Sequence, residues 1–113
     1  MANGSFISRL LGLFLPPRHS GEPQVLYSSD GRSGYVHYRS SEGSFEMYYE
    51  FSGGNCVASI DIPGVEKWER KTGLPLARRD EVLNFIGRQV VKDQTTGGRG
   101  YFKIEGDWLH IYV

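Results

Sequence analysis

From residue 24 onward, apolar and polar side chains alternate in short runs separated by glycine-rich breaks. A period of two is the pattern of a strand with one buried face. It predicts four consecutive strands. The first is Gln24 to Ser29, ended by Asp30-Gly31. The second is Tyr35 to Arg39, ended by Ser40-Ser41-Glu42-Gly43. The third is Phe45 to Phe51, ended by Ser52-Gly53-Gly54-Asn55. The fourth is Cys56 to Ile62, ended by Pro63-Gly64. Turns this frequent favour an antiparallel meander. Two further alternating runs flank Gly106-Asp107 in YFKIEGDWLHIYV, residues 101–113, and read as a closing hairpin.

The period changes between about Arg78 and Asp93. There Val82, Leu83, Ile86 and Val90 form the apolar stripe of a helix, with Phe85 at its margin, and Glu81, Asn84, Arg88 and Lys92 share the opposite face. Arg78 and Arg79 stand where the helix dipole prefers acids. Gly87 costs about 1 kcal/mol relative to alanine, which points to a second backbone approaching closely. The connection from 63 to 77 predicts no more than a helical turn around Val65 to Arg70. The fold class is therefore α+β: an antiparallel β-meander of four strands, one long α-helix, then a C-terminal β-hairpin (β-β-β-β-α-β-β), with a short N-terminal helical arm.

That arm rests on Phe6, Ile7, Leu10, Leu11 and Phe14, which share one helical face, with Asn3 or Ser5 as cap and Pro16 as stop. Residues 1–23 read as this apolar segment plus a Pro-rich linker, and residues 24–113 as a single α+β domain. The apolar run is too short to span a bilayer. Arg9 interrupts it, and Pro16-Pro17 replaces the small-residue cleavage site of a signal peptide. One internal cation is too few for a membrane-surface helix, so no membrane partner is expected on this pattern.

The alternation also tests register. If Arg39 faces Ser44, then Tyr38 faces Phe45 and Val36 faces Met47. If Phe51 faces Cys56, then Tyr49 faces Ala58 and Met47 faces Ile60. Both pairings put Val36, Tyr38, Phe45, Met47, Tyr49, Phe51, Cys56, Ala58, Ile60 and Ile62 on one face, which is the expected core. A slip of one residue would bury Glu46 and Glu50 instead. In the hairpin, Phe102, Ile104, Leu109, Ile111 and Val113 are expected to face the core. A single helix leaves the other face of the sheet open. That face receives Leu26, Tyr35, His37, Glu46, Tyr48, Glu50, Val57, Ser59 and Asp61. The hairpin adds Tyr101, Lys103, Glu105, Trp108, His110 and Tyr112. Such a face is usually polar. This one is rich in aromatics.

At 113 residues the chain is one domain by length. Charges balance, 13 basic against 13 acidic. Neither half of the sequence builds a field that would draw nucleic acid or anionic lipid. Cys56 is the only cysteine, so there is no disulfide framework or thiolate cage, and a cytoplasmic location is expected.

Motifs that carry chemistry are few. Cys56, expected on the core face without a basic neighbour, reads as an inert thiol. His19, His37 and His110 show no metal-ligand spacing. His37, His110 and Glu46 fall on the open face and would serve a small hydrolase or metal enzyme if the strand order brought them together. A histidine supported by a cross-strand carboxylate is the plainer reading. Gly97-Gly98-Arg99-Gly100 leads into a strand and is no phosphate cradle. Arg99-Gly100-Tyr101-Phe102-Lys103-Ile104 partly resembles the first ribonucleoprotein motif of RNA-recognition domains. Phe102 and Lys103 depart from that motif, and the predicted element order differs, so the family is rejected. Aromatics on an open sheet still permit single-stranded nucleic-acid binding, although Glu46, Glu50, Asp61 and Glu105 oppose phosphates.

The function expected is thus a small, bacterial-type, non-enzymatic protein-interaction module without cofactor, of the adaptor, inhibitor or immunity kind. Its anchors would be Tyr35, His37, Tyr48, Tyr101, Lys103, Trp108, His110 and Tyr112, which meet a protein partner or a second copy of the chain. Folding of the N-terminal arm over the same face is the alternative that needs no partner. Trp68, among Lys67, Glu69, Arg70 and Lys71, is expected to cap the edge of the core.

Overall fold

A computed structural model describes residues 22–113. The expected N-terminal helical arm lies outside the described residues. Six strands form one antiparallel sheet: β1 (Gln24–Ser29), β2 (Ser33–Ser40), β3 (Gly43–Phe51), β4 (Cys56–Asp61), β5 (Tyr101–Glu105) and β6 (Trp108–Tyr112). Their order is β1-β2-β3-β4-β6-β5, so the hairpin joins the meander through its second strand. Between β4 and β5 run a short helix α1 (Trp68–Thr72) and the long helix α2 (Arg79–Gln94). The chain is α+β in the expected sense, with α1 extending the turn expected near Val65. None of the described helices is long and apolar enough to cross a membrane.

The β2–β3 register is the one the alternation requires: Arg39 opposite Ser44, Tyr38 opposite Phe45, Val36 opposite Met47. At the next turn the register departs from expectation. Phe51 lies opposite Ala58, not Cys56, and Tyr49 opposite Ile60. The turn is the same length but moved one residue along, from 52–55 to 53–56: the Ser52 N–H reaches the Val57 carbonyl at 3.2 Å, and the Cys56 N–H reaches the Gly53 carbonyl at 3.2 Å. A shift of two residues preserves the faces of β3.

A second correction concerns β4 itself. Cys56 pairs with Tyr112, yet Ala58 pairs with Ile111, so Val57 is an inserted residue in a bulge. The insertion exchanges the two faces at this end of the strand. Cys56 shares the open face with Tyr112 and stands 3.8 Å from the Ser59 hydroxyl, whereas Val57 packs against the core. Both positions are the reverse of those expected.

The core lies between the sheet and the helices. Val25, Tyr27, Val36, Tyr38, Met47 and Tyr49 from β1–β3 meet Val82, Leu83, Ile86 and Val90 of α2. Trp68 is fully buried. Its indole N–H donates to the Pro75 carbonyl at 3.0 Å, and its ring meets Phe45 edge-on at 5.5 Å. The two arginines at the start of α2 are compensated locally. Arg78 pairs with Glu42 at 2.9 Å, and Arg79 donates to the Pro63 carbonyl at 3.1 Å. Gly87 admits an aromatic ring, that of Phe102, and not a backbone. Two hairpin residues expected inside are exposed: Ile104 at 37 % and Val113 at 61 %. They lie near the hairpin tip and at the chain end.

A candidate binding face on the open side of the sheet

α1 and α2 cover one face of the sheet. Among the described residues no element covers the other. The aromatic side chains expected there fall into two separate clusters.

The first cluster lies on β2 and β3. Tyr35 and Tyr48 stand opposite each other, 43 % and 39 % exposed, with ring centroids 6.1 Å apart at 72°. Tyr35 also neighbours His37 at 6.5 Å. His37 faces Glu46 across the strands, with Nδ1 3.4 Å from Oε1. Its Nε2 is 3.0 Å from the Ser28 hydroxyl on β1. Burial pushes the His37 imidazole below its ordinary pKa, Glu46 opposes that shift, and Arg39 reinforces it. The neutral ring suits both contacts: Nδ1–H donates to Glu46, and Nε2 accepts from Ser28. Ser28 did not stand out in the sequence because it abuts the turn signal at Asp30-Gly31. Its place two residues after Leu26 was the available clue.

The second cluster runs along the hairpin. The Trp108 and His110 rings are nearly parallel at 6.3 Å, His110 neighbours Tyr112 at 6.2 Å, and Tyr112 stacks on Tyr101 at 5.0 Å. Lys103 Nζ lies 5.9 Å from the Tyr112 ring centroid, within cation–π reach. The Nδ1 atom of His110 is 2.8 Å from the Ser59 hydroxyl, and its Nε2 is 3.6 Å from Glu105. Ser59 in turn meets the Ser52 hydroxyl at 2.9 Å.

Each histidine is therefore held between a serine and a glutamate from its two flanking strands. The structure does not bring the histidines together. β3 and β4 lie between β2 and β6, a separation of about 14 Å at ordinary strand spacing. That is too far for one metal ion, and no group of three or more ligating side chains occurs among the described residues. A serine–histidine–carboxylate line has the order of a nucleophile, a base and an orienting group. Strand N–H groups, however, lie in the plane of the sheet and do not rise over its face, where a reacting oxygen would need donors.

Between the clusters runs an acidic strip. Glu50 and Asp61 are exposed, and neither has an ion-pair partner among the described residues. Asp61 and Glu105 both lie opposite Trp108 in register, one on each neighbouring strand. Beside the strip, a cleft of about 290 Å³ opens between β3 and the end of β4, with Tyr35, Glu46, Tyr48 and Asp61 among its lining residues. Sequence reasoning could not find this cleft, since it depends on where β4 leaves β3.

No protein-family model, no curated protein and no solved structure matches the chain.

Proposed function

We propose that the protein is a non-enzymatic protein-interaction module, of the adaptor, inhibitor or immunity type, which docks a partner protein on the open face of its sheet. The observation that carries this reading is the pair of aromatic clusters on either side of the unpaired carboxylates Glu50 and Asp61. Tyrosine and tryptophan dominate interaction hot spots because they bury large area with few rotatable bonds. The anchors are Tyr35, Tyr48, Tyr101, Trp108 and Tyr112. His37, His110 and Lys103 are the polar groups set among them.

The charge pattern selects the kind of partner. Glu46, Glu50, Asp61 and Glu105 repel nucleic-acid phosphates and favour a basic protein surface. They also disfavour a second copy presenting the same face, because two acidic strips would then meet. A single free thiol, Cys56, suits a reducing compartment such as the cytoplasm.

The test is affinity capture with the full chain as bait, with chemical crosslinking, comparing wild type with Trp108→Ala and Tyr48→Ala. The expected result is a basic protein retained by wild type and lost by tenfold or more with either variant. Retention of nothing by wild type, or equal retention by all three, would overturn the proposal. Tryptophan fluorescence that responds to single-stranded oligonucleotides at low salt would move the assignment to nucleic acid.

A further inference from the structure

The register between β3 and β4 stops early. β3 pairs with β2 along nearly its whole length, from Ser33↔Glu50 to Ser40↔Gly43. With β4 it pairs only from Phe51↔Ala58 to Tyr49↔Ile60. The end of β4 is bonded to the hairpin instead: Asp61 lies opposite Trp108, and the Ile62 N–H donates to the Asp107 carbonyl at 2.9 Å. Pro63 then leads the chain away toward α1. The first half of β3 is left without a paired strand on that side, with Lys71 of α1 across the cleft.

The direction of the β3 amides follows from two bonds at its end. The Phe51 N–H points to the β2 side, donating to the Arg32 carbonyl at 3.1 Å, and the Ser52 N–H points to the β4 side, donating to Val57. Main-chain groups alternate sides along a strand. The N–H and C=O of Glu46 are therefore directed to the vacated side, where no described main-chain group meets them. A free strand edge of this kind is a template for another strand. The 290 Å³ cleft lies along this edge.

We infer that this gap is a binding site for an extended peptide segment, which adds a short strand against Glu46 and carries basic side chains on the open face and apolar ones on the helical face. The inference rests on the reading of the open face as a protein-binding surface and names the form in which the partner reaches it. From Phe45 to Tyr48 the edge measures about 10 Å, enough to engage about three residues of an added strand. Side chains of such a strand alternate between the faces, as those of β3 do. On the open face they meet the carboxylates of Glu46 and Asp61 and the rings of Tyr35 and Tyr48, a setting for a cation. On the other face they meet Phe45, Met47, Ile62 and Pro63, a setting for an apolar group; the exposed Lys71 of α1 also lines the cleft, so the cations of the segment belong on the side of Glu46 and Asp61.

Amide exchange of the full chain, followed by NMR, tests this with acetyl-Lys-Val-Lys-Val-Lys-amide at millimolar concentration as probe. In the free chain the Glu46 amide exchanges rapidly. With the peptide it slows tenfold or more, while the Tyr49 amide, directed to β2, is unchanged. The same peptide methylated at its three central backbone nitrogens keeps its charge but not its donors, and it leaves Glu46 unaffected. So does acetyl-Glu-Val-Glu-Val-Glu-amide. Slow exchange at Glu46 without peptide would show the edge occupied by the chain itself or by a second copy, and would overturn the inference. An equal effect of the methylated peptide would reduce it to charge attraction and overturn it as well. Partner capture that still depends on Trp108, with no response at Glu46, would overturn the cleft and retain the interaction module. Loss of both would overturn both.

Discussion

The ring of Phe102 lies across Gly87 so closely that a Cβ added to the glycine would stand 2.6 Å from the ring's Cδ2 atom. This contact sets how near α2 comes to β5. Gly87→Ala should raise helix propensity by about 1 kcal/mol and still destabilise the domain by about 1–3 kcal/mol, because the ring must shift within a packed layer. Urea denaturation measures the difference. Combining the change with Phe102→Leu should recover part of the loss, a coupling that separates collision from a backbone effect.

The two tryptophans should report opposite environments. Trp68 is fully buried and hydrogen-bonded, whereas Trp108 is half-buried on the open face between Asp61 and Glu105. Fluorescence quenching should be biphasic, and Trp108→Phe should abolish the accessible component. Caesium should quench that component better than iodide at low salt, since the flanking carboxylates attract cations. Equal quenching by both ions would contradict the acidic strip. Trp68→Ala should cost about 3–5 kcal/mol, the usual range for emptying so large a site.

Stability should fall as the solution is acidified through the range where a free histidine titrates. Burial holds the folded-state pKa of His37 below its unfolded value, against the pull of Glu46 and with the push of Arg39. The unfolded chain therefore takes up the proton first as pH drops, which favours unfolding below about pH 6.5. His37→Gln should flatten that part of the stability profile. Glu46→Gln should steepen it, because the one group that favours the imidazolium is gone. Chemical denaturation at several pH values checks both.

Gln94 sits at the end of α2 with its side-chain amide buried and unpartnered among the described residues. Removing a buried polar group that makes no bond is stabilising when shape is kept. Gln94→Met should raise stability by about 1 kcal/mol, read from the urea midpoint. A loss of similar size would show that the amide is hydrated.

Wherever alternation and turn chemistry agreed, the structure was legible in the chain. Val36, Tyr38 and Met47 could face one way only if Glu46 was to stay wet, and the β2–β3 register follows from that. The exchange of Cys56 and Val57 was not legible. Both residues read as apolar, so nothing in their identity marks an inserted position. The place of the turn before them is hidden for a related reason: Gly53-Gly54-Asn55 allows a turn centred on Gly53-Gly54 as readily as the one formed a residue later. The site was half legible. Its aromatic members could be listed, but their division into two clusters depends on β4 and β6 becoming neighbours. That contact spans half the chain and has no local signal. The cleft at Glu46 is hidden for the same reason, whereas Ser28 meets His37 within a local hairpin and is masked by the turn signal beside it.

The short ladder between β3 and β4 also bears on how the domain assembles and opens. On either side of it stand three strands, β1-β2-β3 and β4-β6-β5. The first trio is joined by two local turns and can form from contacts near in sequence. The second must wait until residues 101–113 return to β4. Across the seam only three residue pairs, Tyr49↔Ile60 to Phe51↔Ala58, continue the ladder. The helical layer adds the Tyr27 hydroxyl bonded to Asp93 at 2.9 Å, a clasp from β1 to the far end of α2. The domain is thus two small sheets welded along a short line. Partial opening, when it comes, should run along that weld and leave the first trio intact.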